Sequence, residues 1–129
     1  ATVAAAIANA AKDFDKDLLL FGLSGSHSIT KARKIGLKTC SEVFADRTYQ
    51  DNGTLTPRTK KGALIENADQ VKQQVLQMVN EGLVTTTTGA TIKLDVETIC
   101  IHGDGPNALE FARTIREALR ENGVEVAAP

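Results

Sequence analysis

The chain has 129 residues, with 15 Lys and Arg against 16 Asp and Glu, a net charge of -1 and 42% apolar side chains. That is the composition of a folded domain with one modest core, and it is too short for a complete eight-unit (βα) barrel of roughly 250 residues. The basic clusters Lys31/Arg33/Lys34 and Arg58/Lys60/Lys61 are short and interrupted, and one Tyr, four Phe and no Trp give no aromatic interleaving, so nucleic acid is not expected as a partner.

Thr2 to Lys12 places Val3, Ala6, Ile7 and Ala10 on one stripe and predicts a helix of high intrinsic propensity. This apolar opening has no basic leader and runs into KDFDKD, so it resembles neither a signal peptide nor a membrane span, and no membrane partner is expected. Starting without Met, it reads as the middle of a helix. Leu18 to Leu23 is a short continuous apolar run, the pattern of a strand covered on both faces. After SGSHS the period turns helical from Ser28 through Ile29, Ala32 and Ile35, with Gly36 as its stop. Leu37 to Phe44 is a second strand candidate. Asn67 with Gln70 predicts an N-cap for a helix bearing Val71, Val75, Met78 and Val79 and ended by Gly82. LVTTTTGATIKL predicts a hairpin around Thr88-Gly89, and Val96 to Ile101 a buried strand. HGDGPN then leads to a helix with Leu109, Ala112, Ile115 and Leu119, closed by Gly123, and VEV reads as a last strand.

Strands alternating with helices predict an α/β fold of parallel βα units, in one domain over residues 1–129. In such sheets the loops that leave the carboxyl ends of the strands share one rim, where ligands bind. Three strand ends meet this rule: Ser24-Gly25-Ser26-His27, Ala45-Asp46-Arg47 and His102-Gly103-Asp104. The SGS turn before a helix suits an anion, with a plain helix cap as the alternative. His102 and Asp104 suit a metal or acid/base work, the alternative being a strand-end His beside an Asp that caps the next helix. Glu42 lies inside a strand and calls for a cationic partner, Arg47 or Arg58. Cys40 and Cys100 sit in apolar runs outside any CxxC spacing, which argues against a disulfide scaffold or zinc knuckle and for a reducing cytoplasm.

Between the second strand and the capped helix lies a polar insert, Ala45 to Gly62, longer than most ordered connections. Asp51-Asn52-Gly53 predicts a tight turn joining Thr48-Tyr49-Gln50 to Thr54-Leu55-Thr56, a small ribbon over the rim. Arg47 and Arg58 would then face the pocket, where guanidinium groups suit carboxylate or phosphate oxygens.

The strings GLSGS (Gly22 to Ser26), EVFADRTYQDNGTLTPR (Glu42 to Arg58) and ETICIHGD (Glu97 to Asp104) resemble, in order and spacing, the C-terminal half of the LamB/YcsF family, whose members are known as the A subunit of the ATP-dependent bacterial 5-oxoprolinase. The resemblance covers essentially the whole chain. It implies part of an incomplete (βα) barrel related to polysaccharide deacetylases, and a role in opening the lactam of 5-oxoproline to glutamate with ATP as co-substrate. Partner subunits B and C are implied, and so is a missing N-terminal half of the same barrel. Matching positions are Glu42, Asp46, Arg47, Tyr49, Asp51, Gly53, Pro57, Arg58, His102, Gly103 and Asp104; Gly105 stands where many relatives carry Thr. The family's N-terminal Asn-Cys-Asp, His-Ala-Gly-Asp and Lys-Pro-His-Gly-Ala motifs do not occur here, so the fragment alone is expected to be inactive. From residue chemistry, His102 with Asp104 is the expected proton-transfer pair, Glu42 and Asp46 orient the site, and Arg47, Arg58, Tyr49 and Ser24-Gly25-Ser26 contact substrate or phosphate; whether a metal takes part is open. Two further readings are a non-catalytic anion-binding or assembly module and a metal-dependent, deacetylase-like hydrolase.

Overall fold

The computed structural model describes residues 2–128. In chain order it contains α1 (Thr2–Phe14), β1 (Leu19–Leu23), α2 (His27–Lys34), β2 (Lys38–Phe44), α3 (Ala68–Glu81), β3 (Leu83–Thr85), β4 (Thr91–Lys93), β5 (Thr98–Cys100) and α4 (Ala108–Glu121). β1, β2 and β5 form a sheet in that order, and β3 and β4 a separate antiparallel pair. The described residues divide into two compact units: one holds those up to Val43 plus Asp95–Thr98, the other Phe44–Leu94 and those from Ile99 onward.

In the first unit β1 and β2 run parallel, from Leu19 opposite Lys38 to Leu23 opposite Glu42, with α2 as the crossover that a parallel pair requires. A Cβ at Gly22 would stand 3.2 Å from Ile29 Cδ1, so the bare glycine lets α2 lie close on the strand. α2 stops at Ile35, and Gly36 takes the left-handed conformation, φ 77°. Ala8, Ala32 and Leu37 form the core, with Ala11, Leu20 and Ile35 packed around them.

Two expectations fail here. α1 turns Ala8 inward, whereas Val3 and Ile7 of the expected stripe are 72% and 54% exposed. A helix that packs on α2 through alanines approaches closely and leaves its bulkier stripe on the opposite face. β1 is not covered on both faces, since Phe21 is 48% exposed, and among the described residues it lies at the edge of its sheet.

An ionic cluster braces the same unit. The Arg33 guanidinium donates from Nε to Thr39 Oγ1 (2.9 Å) and from Nη2 to Ser41 Oγ (3.2 Å), while it lies 3.6 Å from Asp95 and 3.4 Å from Glu97. Glu97 Oε2 also accepts from the backbone N–H of the fully buried Ser41 (2.6 Å). That hydrogen bond, then the Ser41 hydroxyl and Arg33, holds the Glu97 carboxyl below its ordinary value of 4.5. A depressed carboxyl contributes stability above the unfolded value and loses it as pH falls through the folded one. Glu97→Gln should therefore destabilise the fold near neutral pH and lower its melting temperature, the free-energy loss staying below about 1 kcal/mol for so exposed a carboxylate. The gap between variant and parent should close once the pH drops beneath the ordinary glutamate range, which melting curves across acid pH will read.

In the second unit α3 starts where predicted, with Asn67 Oδ1 accepting from the Gln70 N–H (3.1 Å), and stops at Gly82 in the left-handed region, φ 65°. Val71 and Val75 of α3 pack with Phe111, Ile115 and Leu119 of α4 and with Ala45. The inward stripe of α4 is thus Phe111, Ile115, Ala118 and Leu119: Ile115 and Leu119 of the expected stripe face inward, whereas Leu109 and Ala112 are exposed. Phe111 fixes the phase, because its aromatic ring gains more from burial than the Leu109 side chain would. VEV forms no strand; Val124 instead folds back, its N–H donating to Leu119 O (2.9 Å), and packs on the helical core. β3 and β4 make the expected hairpin, pairing Leu83 with Lys93 and Thr85 with Thr91.

Candidate functional site

The polar insert is an ordered double ribbon. Antiparallel bridges join Tyr49 to Leu55 and Arg47 to Leu64, and the turn between the first pair is closed by the Gly53 N–H donating to Gln50 O (2.9 Å), with Gly53 at φ 81°. The strand of the ribbon nearest β2 thus pairs on both sides, which satisfies most of its backbone. Inside it lies Arg47, 7% exposed, donating from Nη2 to Thr56 O (2.6 Å) and from Nε to Ala63 O (3.3 Å). Tyr49 is fully buried, and its hydroxyl oxygen accepts from the Phe44 N–H (2.8 Å). From α3, the Gln74 amide presents its two protons to three carbonyl oxygens, of Phe44 (3.1 Å), Ala45 (3.0 Å) and Arg47 (2.9 Å). The backbone on either side of Asp46 is therefore clamped.

Asp46 faces the segment that leaves β5. The Ala45 N–H donates to Cys100 O (3.0 Å), so the ends of β2 and β5 adjoin and His102 falls beside Asp46. His102 Nδ1 lies 2.8 Å from Asp46 Oδ1 and 3.0 Å from Oδ2, and the His102 backbone N–H donates to Oδ2 (3.3 Å). A carboxylate accepts only, so Nδ1 is the donor of this contact, and in the neutral ring that tautomer leaves the lone pair on Nε2. Phe44 stacks on the imidazole, centroids 5.6 Å apart at 27°, fixing the ring plane.

Both residues line a cavity of about 410 Å³, with Arg58, Asp104 and Glu66 as its other charged groups. Leu64, Ile65, Pro106, Ala108 and Phe111 supply apolar wall. Arg58 Nη1 stands 3.7 Å from Asp104 Oδ2, both side chains more than half exposed. Asn107 precedes α4 without capping it; its Nδ2 donates instead to Glu66 O (3.2 Å), closing the far wall.

Asp46, Arg58, His102 and Asp104 therefore converge, but with the carboxylates exchanged relative to expectation. His102 takes Asp46 as its partner, and Asp104, neither partner of the imidazole nor cap of α4, takes Arg58. Arg47 and Tyr49 lie inside the loop and support it. Ser24, Gly25 and Ser26 belong to the first unit: Ser24 Oγ accepts from the Asp95 N–H (2.8 Å), Gly25 turns at φ 73°, and Ser26 precedes α2 with its hydroxyl buried and unpartnered. Glu42 is half-buried on β2 opposite Leu23, in the same unit. Among the described residues no group of three or more His, Cys, Asp or Glu is placed to hold a metal ion, and no helix is long and apolar enough to cross a membrane. Cys40 is buried, and its thiol is pushed up by that burial and by Glu97 and Glu42. Sequence reasoning overlooked Gln74 and the apolar wall; the available signals were a Gln beside the Val71/Val75 stripe and the tripeptide Ala63-Leu64-Ile65 at the end of a polar loop.

Known proteins agree with this architecture. The A subunit of 5-oxoprolinase from Bordetella parapertussis is 53% identical over 99% of this chain and 51% of its own length. That of Bacillus subtilis is 50% identical over 95% of this chain and 48% of its own. In the crystal structure of a lactam utilization protein from Thermus thermophilus, the similar region superposes with a TM-score of 0.88 at 42% identity, covering 98% of this chain and 50% of that one. The chain thus spans about half the length of the curated relatives it matches. On a family match running over residues 1–129, it belongs to the LamB/YcsF family.

Proposed function

We propose that this chain serves, as part of the A subunit of a 5-oxoprolinase, in the ATP-dependent hydrolysis of the lactam of 5-oxoproline to L-glutamate. The observation that carries the reading is about 50% identity, across nearly the whole chain, to proteins named as the 5-oxoprolinase A subunit. The geometry supports it chemically. A lactam nitrogen leaves only as an amine, so ring opening needs a proton delivered to nitrogen and a nucleophile at the carbonyl carbon. His102 does the proton work: Asp46 holds Nδ1–H, orients the ring and stabilises the imidazolium that forms when Nε2 takes a proton. ATP supplies phosphoryl activation of the carbonyl oxygen. Arg58 holds anionic oxygen at the rim, and the wall of Ile65, Pro106 and Phe111 takes the ring carbons.

The partners in this proposal are subunits B and C and the further chain length that relatives carry, and the setting is the cytoplasm, supported by a cysteine usage of two residues outside any CxxC spacing. The exposed Val3, Ile7 and Phe21 of the first unit are the surface we assign to that further length, completing an incomplete (βα) barrel of the polysaccharide-deacetylase type. Coexpression with subunits B and C, followed by assay of L-glutamate formed from 5-oxoproline, tests the proposal. Glutamate appearing only when both ATP and the protein carrying this chain are present is the expected result; turnover unaffected by leaving that protein out would overturn it.

A further inference from the structure

We infer that Arg58 is the docking group for a substrate carboxylate, and that Asp104 is its built-in competitor, occupying the guanidinium until a carboxylate ligand displaces it. The inference rests on the lactam reading for the ligand's ring, but its electrostatic part stands on the cavity alone. Among the described residues that line the cavity, Arg58 is the only one with a fixed positive charge. Its contact with Asp104 is 3.7 Å long, with side chains 51% and 74% exposed. So long and solvated a pair is weak, and a carboxylate that can meet the guanidinium through both oxygens replaces it readily. Asp104 follows Gly103 and precedes Gly105, a stretch able to swing its side chain away.

The competitor also gives selectivity. Asp46 is committed to His102 Nδ1 and Glu66 adds negative charge to the wall, so a neutral lactam leaves Arg58 with Asp104, while a lactam bearing a carboxylate displaces Asp104 and takes the guanidinium itself. Ring and charge are thereby read by different parts of one cavity: the apolar wall takes the first and Arg58 the second.

Four probes separate the elements: L-5-oxoproline, 2-pyrrolidinone (lactam without carboxylate), cyclopentanecarboxylate (carboxylate without lactam) and inorganic phosphate. Binding is measured by NMR titration of the full chain, alone and with its proposed partners, as parent and as Asp104→Asn. Relief of the competition should tighten both carboxylates by about two- to fivefold, the scale of an exposed ion pair, and leave 2-pyrrolidinone unchanged. Adding Arg58→Met should erase the gain, and Asp104→Glu should restore the parent affinity. Asp104→Asn changes an exposed side chain, and an unaltered melting curve confirms that the fold is kept. The inference is overturned by carboxylate binding that is unchanged, weaker or absent in Asp104→Asn, by an equal gain for 2-pyrrolidinone, or by a gain for phosphate alone. A gain for cyclopentanecarboxylate with no preference for L-5-oxoproline over it leaves the Arg58–Asp104 exchange standing and removes the lactam reading instead.

Discussion

Under the proposed lactam hydrolysis, turnover of the assembled enzyme should fall by about 100- to 10,000-fold when His102 is replaced by Asn, the loss expected for a positioned acid/base group. Asp46→Asn should approach the same loss by a different route. The carboxamide keeps the shape of the carboxylate but can donate, and an amide N–H facing Nδ1 drives the imidazole proton to Nε2, the wrong tautomer for accepting a proton from a ligand. Asp104→Asn, by contrast, leaves the His102–Asp46 contact of 2.8 Å untouched. Comparing glutamate formation across the three variants therefore decides which carboxylate serves the histidine. Near-parental turnover in Asp46→Asn would remove the dyad from the mechanism.

The second large effect is on stability. Tyr49 is fully buried at the root of the ribbon, and truncation to Ala should cost about 3–5 kcal/mol, the range for deleting a core aromatic side chain. The hydroxyl matters separately. It accepts from the Phe44 N–H, and Tyr49→Phe strips that acceptor from a half-buried donor, at about 1–3 kcal/mol for a donor left without a partner. Chemical denaturation of both variants reads the two losses. If Tyr49→Phe is as stable as the parent, the Phe44 contact contributes nothing and the loop is held chiefly by Arg47 and Gln74.

Local signals carried the elements and the rim well. Asn67, Gly36 and Gly82 mark helix ends by short-range chemistry that a sequence displays directly, and the Asp51-Asn52-Gly53 turn is of the same kind. What the sequence left ambiguous was phase and partnership. α1 and α4 are each amphipathic, but small residues and one aromatic ring, rather than the largest apolar stripe, decide which face goes inward. Likewise Asp46 and Asp104 are equally plausible partners for His102 by type. Asp104 is two residues away in the chain, yet the adjoining ends of β2 and β5 bring Asp46 nearer. Arg47 and Arg58 look alike on paper; ribbon pairing turns the first into backbone carbonyls and leaves the second at the cavity. Sequence proximity was a poor guide to pairing wherever the sheet set the geometry.

The ribbon and the β3–β4 hairpin are tied together by side chains: the Thr86 and Thr88 hydroxyls donate to Asp51, and the Thr87 N–H donates to Tyr49 O (2.9 Å). Such ties make the two segments a single opening unit, so their amide protons, among them those of Gln50, Thr56 and Thr87, should exchange with solvent in concert. Fraying that starts at the hairpin tip would then travel to the backbone beside Asp46, and the lifetime of the Asp46–His102 contact would be set by a turn of threonines remote from it in the chain.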